Sequence, residues 1–225
     1  MKKILFFFIF IASIAAKAQT VVYHPFPDSN AVWIAQWGCC QPGGGPGCTI
    51  TCCTITNWYE MTGDSILNGR TYHKIESLGT YSCNPPFCSP CGLPDWGIRL
   101  IREDSTKRIW IWDTFSMADT LLYDFNLSVG DTINTLYSND IGSPHIVQSI
   151  DSIFIGIDYR KIYYYGSNLG NDSCTQFLIE GIGTGAGLFS PLCGNGCFEQ
   201  GFQLSCFKQD GNILYYPNPS ICTVD

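Results

Sequence analysis

The residues able to do chemistry in this 225-residue sequence are histidines, carboxylates, cysteines and a few aromatic pairs. The three histidines are His24, His73 and His145. None is spaced as His-x-x-x-His or His-Glu-x-x-His, so the helical zinc-hydrolase signature is absent. No Gly-x-Ser-x-Gly nucleophile elbow occurs either. His73 reads as a solvent-facing strand residue. Carboxylates are plentiful, and two of them flanking a sugar bond about 5 or 9 Å apart would hydrolyse it. Glu103-Asp104 and Asp113 bracket one expected strand, while Glu180 and Glu199 stand apart. Nothing in one sequence sets such a distance, and surface solvation is the default for all of them. The run from Gly181 to Gly187 follows an expected strand, but Pro191 and Gly194 stop any helix early. It therefore reads as a loop or bulge, not as a dinucleotide turn. Asp210-Gly211-Asn212 reads as a hairpin turn, and no EF-hand loop is present. No catalytic residue, metal or cofactor is assigned.

The aromatic pairs point to binding. In Ile109-Trp110-Ile111-Trp112 a period of two puts Trp110 and Trp112 on one sheet face and the isoleucines on the other. Tyr163 and Tyr165 share a face in the same way. Aromatic rows of this kind offer large, stiff contact area to a glycan or a protein. The competing reading is a core strand buried on both sides.

The 13 cysteines call for a compartment. Lys2 and Lys3 precede an apolar run over residues 4–16, and Ala16-Lys17-Ala18 gives a small-x-small cleavage site. That order is a secretory signal peptide over residues 1–18. No second stretch of about 18 apolar residues follows, so no membrane span is expected in the mature chain. No cysteine lies at the cleavage site, so a lipoprotein is not expected. Loss of Lys2, Lys3 and Lys17 leaves 9 basic against 19 acidic residues. An acidic chain without a Lys/Arg cluster is a poor partner for nucleic acid. Export places the thiols where disulfides persist. Candidates are Cys39, Cys40, Cys48, Cys52 and Cys53 in one cluster, Cys83, Cys88 and Cys91 in a second, and Cys193, Cys197 and Cys206 in a third, with Cys174 and Cys222 alone. Cys88-x-x-Cys91 beside Cys83 also has zinc-knuckle spacing, but the compartment favours disulfides. Thirteen is odd, and spacing does not reveal connectivity.

The elements that must position these residues read as β. Asn68-Gly69 between two strand-like runs is a strong hairpin signal. Further strands are expected over 97–102, 107–113, 120–123, 132–137, 145–157, 159–165, 175–182, 202–208 and 212–216. No window carries a clean helical period outside the signal peptide. The fold class is all-β: an antiparallel meander forming a sandwich or a strongly curved sheet, with disulfide-rich loops. The organisation expected is a Cys/Gly/Pro-rich N-terminal segment over 19–57 and an antiparallel β domain over 58–225. The run from Gln41 to Gly47 is expected to be neither helix interior nor central strand. Asp64-Ser65-Ile66-x-x-Gly69-x-x-Tyr72-x-Lys74-Ile75 recurs as Asp151-Ser152-Ile153-x-x-Gly156-x-x-Tyr159-x-Lys161-Ile162. This reads as a repeated hairpin.

The repeat, the stretch Leu122-Tyr123-Asp124-Phe125-Asn126-Leu127-Ser128-Val129-Gly130-Asp131-Thr132, Ile179-Glu180-Gly181-Ile182-Gly183, and Cys206-Phe207 with Gly211-Asn212-Ile213-Leu214-Tyr215 carry a likeness. Together they resemble uncharacterised secreted proteins of the Bacteroidota, in which such a β-rich region commonly precedes a type IX secretion C-terminal sorting domain. Tyr216-Pro217-Asn218-Pro219-Ser220 is similar to the opening of that signal, but five residues follow it, and the sorting domain is expected to be absent. The resemblance implies a route through secretion machinery. It also implies O-glycosylation of Asp-Ser/Thr sites, here Ser65, Ser105, Thr120, Thr132 and Ser152. Ordinary turn chemistry accounts for the same dipeptides.

The function expected is an exported, non-enzymatic binding or cell-surface module for a glycan or a protein. It would be secreted, surface-bound or periplasmic. The alternative is a secreted glycan-acting hydrolase with a carboxylate pair.

Overall fold

The computed structural model describes residues 22–45, 48–84, 95–136, 144–167, 176–190, 202–217 and 222. Among them are thirteen strands and no helix. In chain order these are β1 (Ala31–Gly45), β2 (Cys48–Leu67), β3 (Arg70–Asn84), β4 (Gly97–Glu103), β5 (Arg108–Asp113), β6 (Ala118–Asp124), β7 (Thr132–Ile133), β8 (His145–Ile155), β9 (Asp158–Ser167), β10 (Gln176–Ile179), β11 (Gly183–Thr184), β12 (Phe202–Gln209) and β13 (Asn212–Tyr215). They form an eight-stranded sheet, β13-β12-β1-β2-β3-β4-β5-β6, and a five-stranded sheet, β11-β10-β9-β8-β7. Every pairing is antiparallel, and the large sheet curls into a half-barrel.

The alternation of side chains explains how the two sheets meet. One face of the large sheet is a row of apolar residues, among them Trp33, Tyr59, Ile75, Ile101 and Ile109, at 0–2% exposure. They join Val147, Ile155, Ile162, Tyr163 and Leu178 of the small sheet in a single core cluster. Each sheet has one apolar face, and packing the two together removes both from water. Residues 22–27 form a strap across the two sheets. The Tyr23 hydroxyl and the Phe26 amide donate to the two oxygens of Glu103 on β4, and the His24 amide donates to Glu180 beyond β10 at 3.4 Å.

One glycine- and proline-rich segment is a strand. Gln41 to Gly45 belong to β1, whose register runs Gln41↔Thr51, Pro42↔Ile50 and Gly45↔Cys48, and residues 31–57 occupy the middle of the large sheet. Proline is tolerated there because β12 pairs β1 only from Ala31 to Trp37. Among the described residues β1 has a neighbour on one side alone beyond Trp37, and an edge position requires no second amide ladder.

Both copies of the repeated motif are hairpins, but their registers differ. Asn68 and Gly69 have φ of 51° and 74°, the type I′ pattern, and Ser65 faces Tyr72. In the second copy Gly156 has φ of 65° and is the first turn residue, as in a type II′ turn, so Phe154 faces Tyr159. The same glycine serves one place later in the first turn than in the second. The return strands are therefore offset by two residues, and Tyr72 is 0% exposed while Tyr159 is 50% exposed.

Two disulfides close the described chain. Cys53–Cys83 joins opposed residues of β2 and β3, and Cys206–Cys222 ties the C-terminal stretch to β12. Cys206, Cys222 and Ile34 form a small second core. The backbones of Cys39, Cys40, Cys48 and Cys52 lie in β1 and β2, but their side chains are outside what is described. Cys88, Cys91, Cys174, Cys193 and Cys197 lie outside the described residues altogether.

Two outcomes are expected. Peptide mapping without reductant should recover Cys53 linked to Cys83 and Cys206 linked to Cys222. Replacing both Cys206 and Cys222 by serine should cost about 3 kcal/mol in a denaturant melt. In the hairpins, Tyr72→Ala should cost about 3 kcal/mol or more, whereas Tyr159→Ala should stay within about 0.5 kcal/mol of the parent. Equal losses at the two tyrosines would contradict their unequal burial.

Candidate functional site

The face of β3–β6 turned away from the core carries a second concentration of side chains. Arg102 on β4 is paired with Trp110 on β5, so the two share this face, and Trp110 and Trp112 lie opposite the buried Ile109 and Ile111. Both tryptophans are half-buried. Asp119 on β6 is the hub. Its Oδ2 accepts from Arg102 Nε at 3.1 Å, Arg102 Nη2 at 2.6 Å and Arg70 Nη1 at 2.6 Å, and its Oδ1 accepts from the Tyr72 hydroxyl at 2.7 Å. The Arg102 guanidinium lies 5.7 Å from the Trp110 ring centre and 5.9 Å from that of Tyr72. Trp112 meets Tyr72 edge to face at 6.2 Å, and the Trp110 indole donates to Asp104 at 2.8 Å. Tyr72 is fully buried yet belongs to neither apolar cluster. It is covered on the outer face by this network. The two tryptophans are thus neither core residues nor an open platform.

Beside Trp112 the face opens into a groove of about 580 Å³. Its apolar lining is Trp96, Ile98, Leu100, Ile111, Trp112 and Leu136. Trp96 is 62% exposed, Ile98 65% and Leu136 39%. The Trp96 indole N–H donates to the Gly79 carbonyl at 3.1 Å, which fixes the ring and leaves its face as contact surface. Arg99 and Asp113 complete the rim. Arg99 donates to Asp95 and to Ser77 and lies 4.6 Å over the Phe189 ring. Asp113 accepts from the Phe115 and Ser116 amides and the Ser116 hydroxyl. Arg99 is thus paired with an acid, whereas Asp113 is hydrogen-bonded by its own turn and keeps its charge.

A second cavity, of about 440 Å³, lies where the strap crosses the sheet. Asp28, His73, Arg102 and Glu103 are among its walls. His73 is not a bare surface residue, because its Nδ1 lies 2.8 Å from Asp64 Oδ1 and its side chain is 21% exposed. Both oxygens of Glu103 hold the strap, as described above. Glu180 is 1% exposed, and its Oε1, like Nε of the buried Arg160, has no hydrogen-bond partner among the described residues. Burial raises the Glu180 carboxyl, with the His24 amide and Lys161 pulling it partly back. His145 is 2% exposed and packs against Tyr165. Glu199 lies outside the described residues. Among the described residues no group of three His, Cys, Asp or Glu side chains is arranged to hold a metal.

The other expected binding residues are elsewhere. Tyr163 and Tyr165 do share a face, but it is the core face, at 0% and 3% exposure, with the Tyr163 hydroxyl donating to the Phe125 carbonyl. Their burial leaves no surface for a ligand. Of the Asp-Ser/Thr sites, Ser105, Thr132 and Ser152 are exposed, and Ser65 and Thr120 are half-buried. Each aspartate before them has a local or structural partner: Asp64 holds His73, Asp104 the 104–108 turn, Asp119 the arginines, Asp131 the Ser128 amide and Asp151 the Ser152 amide. The run from Gly181 to Gly187 is a buried turn around β11.

Trp110 and Trp112 were legible from their spacing. Trp96, Leu136, Asp119 and Tyr72 were not, because no local pattern ties them to β5. The outward period of Ile98, Leu100 and Arg102 was the available signal. Comparison of the chain with protein-family models, curated proteins and solved structures finds no match.

Asp104 and Asp119 make this network sensitive to acid. Burial pushes the Asp104 carboxyl up, but hydrogen bonds from Thr106 and Trp110 outweigh it and hold the group at about 2. Asp119 is lowered for a like reason, with Arg102 and Tyr72 outweighing burial. A depressed carboxyl stabilises the folded state above the ordinary value near 3.9, and that contribution fades as pH falls through the folded value. Melts of the parent should therefore lose stability between about pH 4 and 2, and Asp104→Asn should flatten that limb. Trp110→Ala, removing a half-buried ring, should cost about 2 kcal/mol at pH 6, less than the about 3–5 of a core tryptophan.

Proposed function

We propose that this chain is an exported, non-enzymatic binding module whose ligand seats in the groove beside Trp112. The observation that carries the reading is Trp96, a large aromatic ring that is mostly exposed yet held in one orientation by its indole N–H. Exposed apolar surface gathered in a concave site marks interaction more often than accident. Ile98 and Leu136 extend the contact. Export is supported by the signal-like residues 1–18, by the two disulfides and by the resemblance to secreted Bacteroidota proteins, which would reach the surface or the medium through secretion machinery. No helix among the described residues is long and apolar enough to cross a membrane. The non-enzymatic part rests on the engagement of the carboxylates. Glu103, Asp104 and Asp113 all use their oxygens to hold backbone or side chains.

Parent and Trp96→Ala proteins, offered a panel of oligosaccharides and peptides, should separate the readings when bound ligand and released reducing ends are both measured. The parent should retain a ligand without consuming it, and the variant should bind about tenfold or more weaker, a change of about 1.4 kcal/mol, with an unaltered melt. Release of reducing ends that Glu103→Gln abolishes would replace the binding module with a hydrolase working at the strap cavity.

A further inference from the structure

We infer that the groove takes a neutral glycan, a short run of sugar rings laid with their C–H faces on Trp96 and Trp112; this rests on the binding reading above. Three observations select that class. The first is size. A concave site of about 580 Å³ falls in the range of sites that enclose a small ligand. Protein partners usually bury about 800 Å² on each side, over a broader surface.

The second is charge. Of the two charged residues of the lining, Arg99 is neutralised by Asp95, whereas Asp113 is hydrogen-bonded by the 113–116 turn and keeps its negative charge. On the adjoining strand, Lys74 faces Leu100 and Glu76 faces Ile98, so one charge of each sign flanks the apolar floor. The rim therefore keeps the single uncompensated charge of Asp113, which repels a polyanion and, screened by solvent, offers a basic peptide little. The sequence as a whole has a formal charge of −7, which further disfavours acidic polymers.

The third is the orientation of Trp96. Its one polar atom is already bonded to the Gly79 carbonyl, so a ligand meets the ring face and not the N–H. A sugar ring has an apolar face of C–H groups and a rim of hydroxyls. It can cover the indole and leave its hydroxyls in water, at little desolvation cost.

The test is calorimetric titration of the mature protein with cellohexaose, xylohexaose, mannohexaose and chitohexaose, beside polygalacturonate and a proline-rich decapeptide. The parent should bind at least one neutral hexasaccharide and leave polygalacturonate and the peptide unbound. Trp96→Ala and Ile98→Ser, both at well-exposed positions, should each weaken that binding, the first by about tenfold or more, with unchanged melts. Binding of the peptide or of polygalacturonate through Trp96, without any neutral hexasaccharide, overturns the glycan class and leaves the binding module intact. A neutral hexasaccharide bound equally by parent and both variants overturns the groove as its seat. A parent that binds none of the six probes overturns the inference.

Discussion

Everything in this molecule is built around the indole of Trp33. The ring is 0% exposed near the start of β1, and it touches each of the pieces that must be brought together. Phe26 of the strap stacks on it at 5.4 Å, and Phe207 of β12 tilts against it at 5.2 Å. Its N–H donates to the Ile182 carbonyl, in the turn between β10 and β11 of the other sheet, at 2.9 Å. A buried indole needs such a partner, since leaving the N–H unpaired would cost the desolvation of a polar group. One side chain thus fixes the spacing of the two sheets, the seat of the strap and the position of β12. The outer face can be polar because the inner one is secured in this way.

That outer face obeys different physics from the core. Tyr72 is as thoroughly buried as Trp33, but its cover is made of arginines, an aspartate and two indoles. Ionised hydrogen bonds converging on Asp119 do on this side what apolar contact does on the other. Such a network is directional. It holds Trp112 at a set angle, and with Trp112 it sets one wall of the groove. The groove is therefore shaped by charge pairs that a ligand never meets.

Period-two patterns carried most of the fold. The alternation in β5, the Asn68-Gly69 turn and the spacing of Tyr163 and Tyr165 all follow from local chain geometry, and local geometry is what a sequence displays. The face that an alternating strand buries is a different matter. Trp110 and Trp112 point outward and Tyr163 and Tyr165 inward, although both pairs have the same spacing, because burial depends on which sheet packs above. Glycine and proline in residues 41–47 spoke against a central strand, and residues 41–45 lie where, among the described residues, β1 has a neighbour on one side alone. Of the groove, only Trp112 was visible in advance. Trp96 and Leu136 reach it from segments separated by 40 residues of sequence, and nothing short of the topology brings them together.

The two look-alike hairpins carry a final implication. A chain that reuses a motif is often regarded as assembled from interchangeable parts. Here the parts are out of phase. Were the β2–β3 motif exchanged for the β8–β9 motif by recombination, its type II′ turn would slide the return strand by two residues. The tyrosine now sealed under Arg102 would then stay on the same face but two residues nearer the turn, and Asp119 would lose its hydroxyl donor. Likeness in letters has drifted away from likeness in use. The lineage of this fold would accept point changes in either hairpin far more readily than a swap between them.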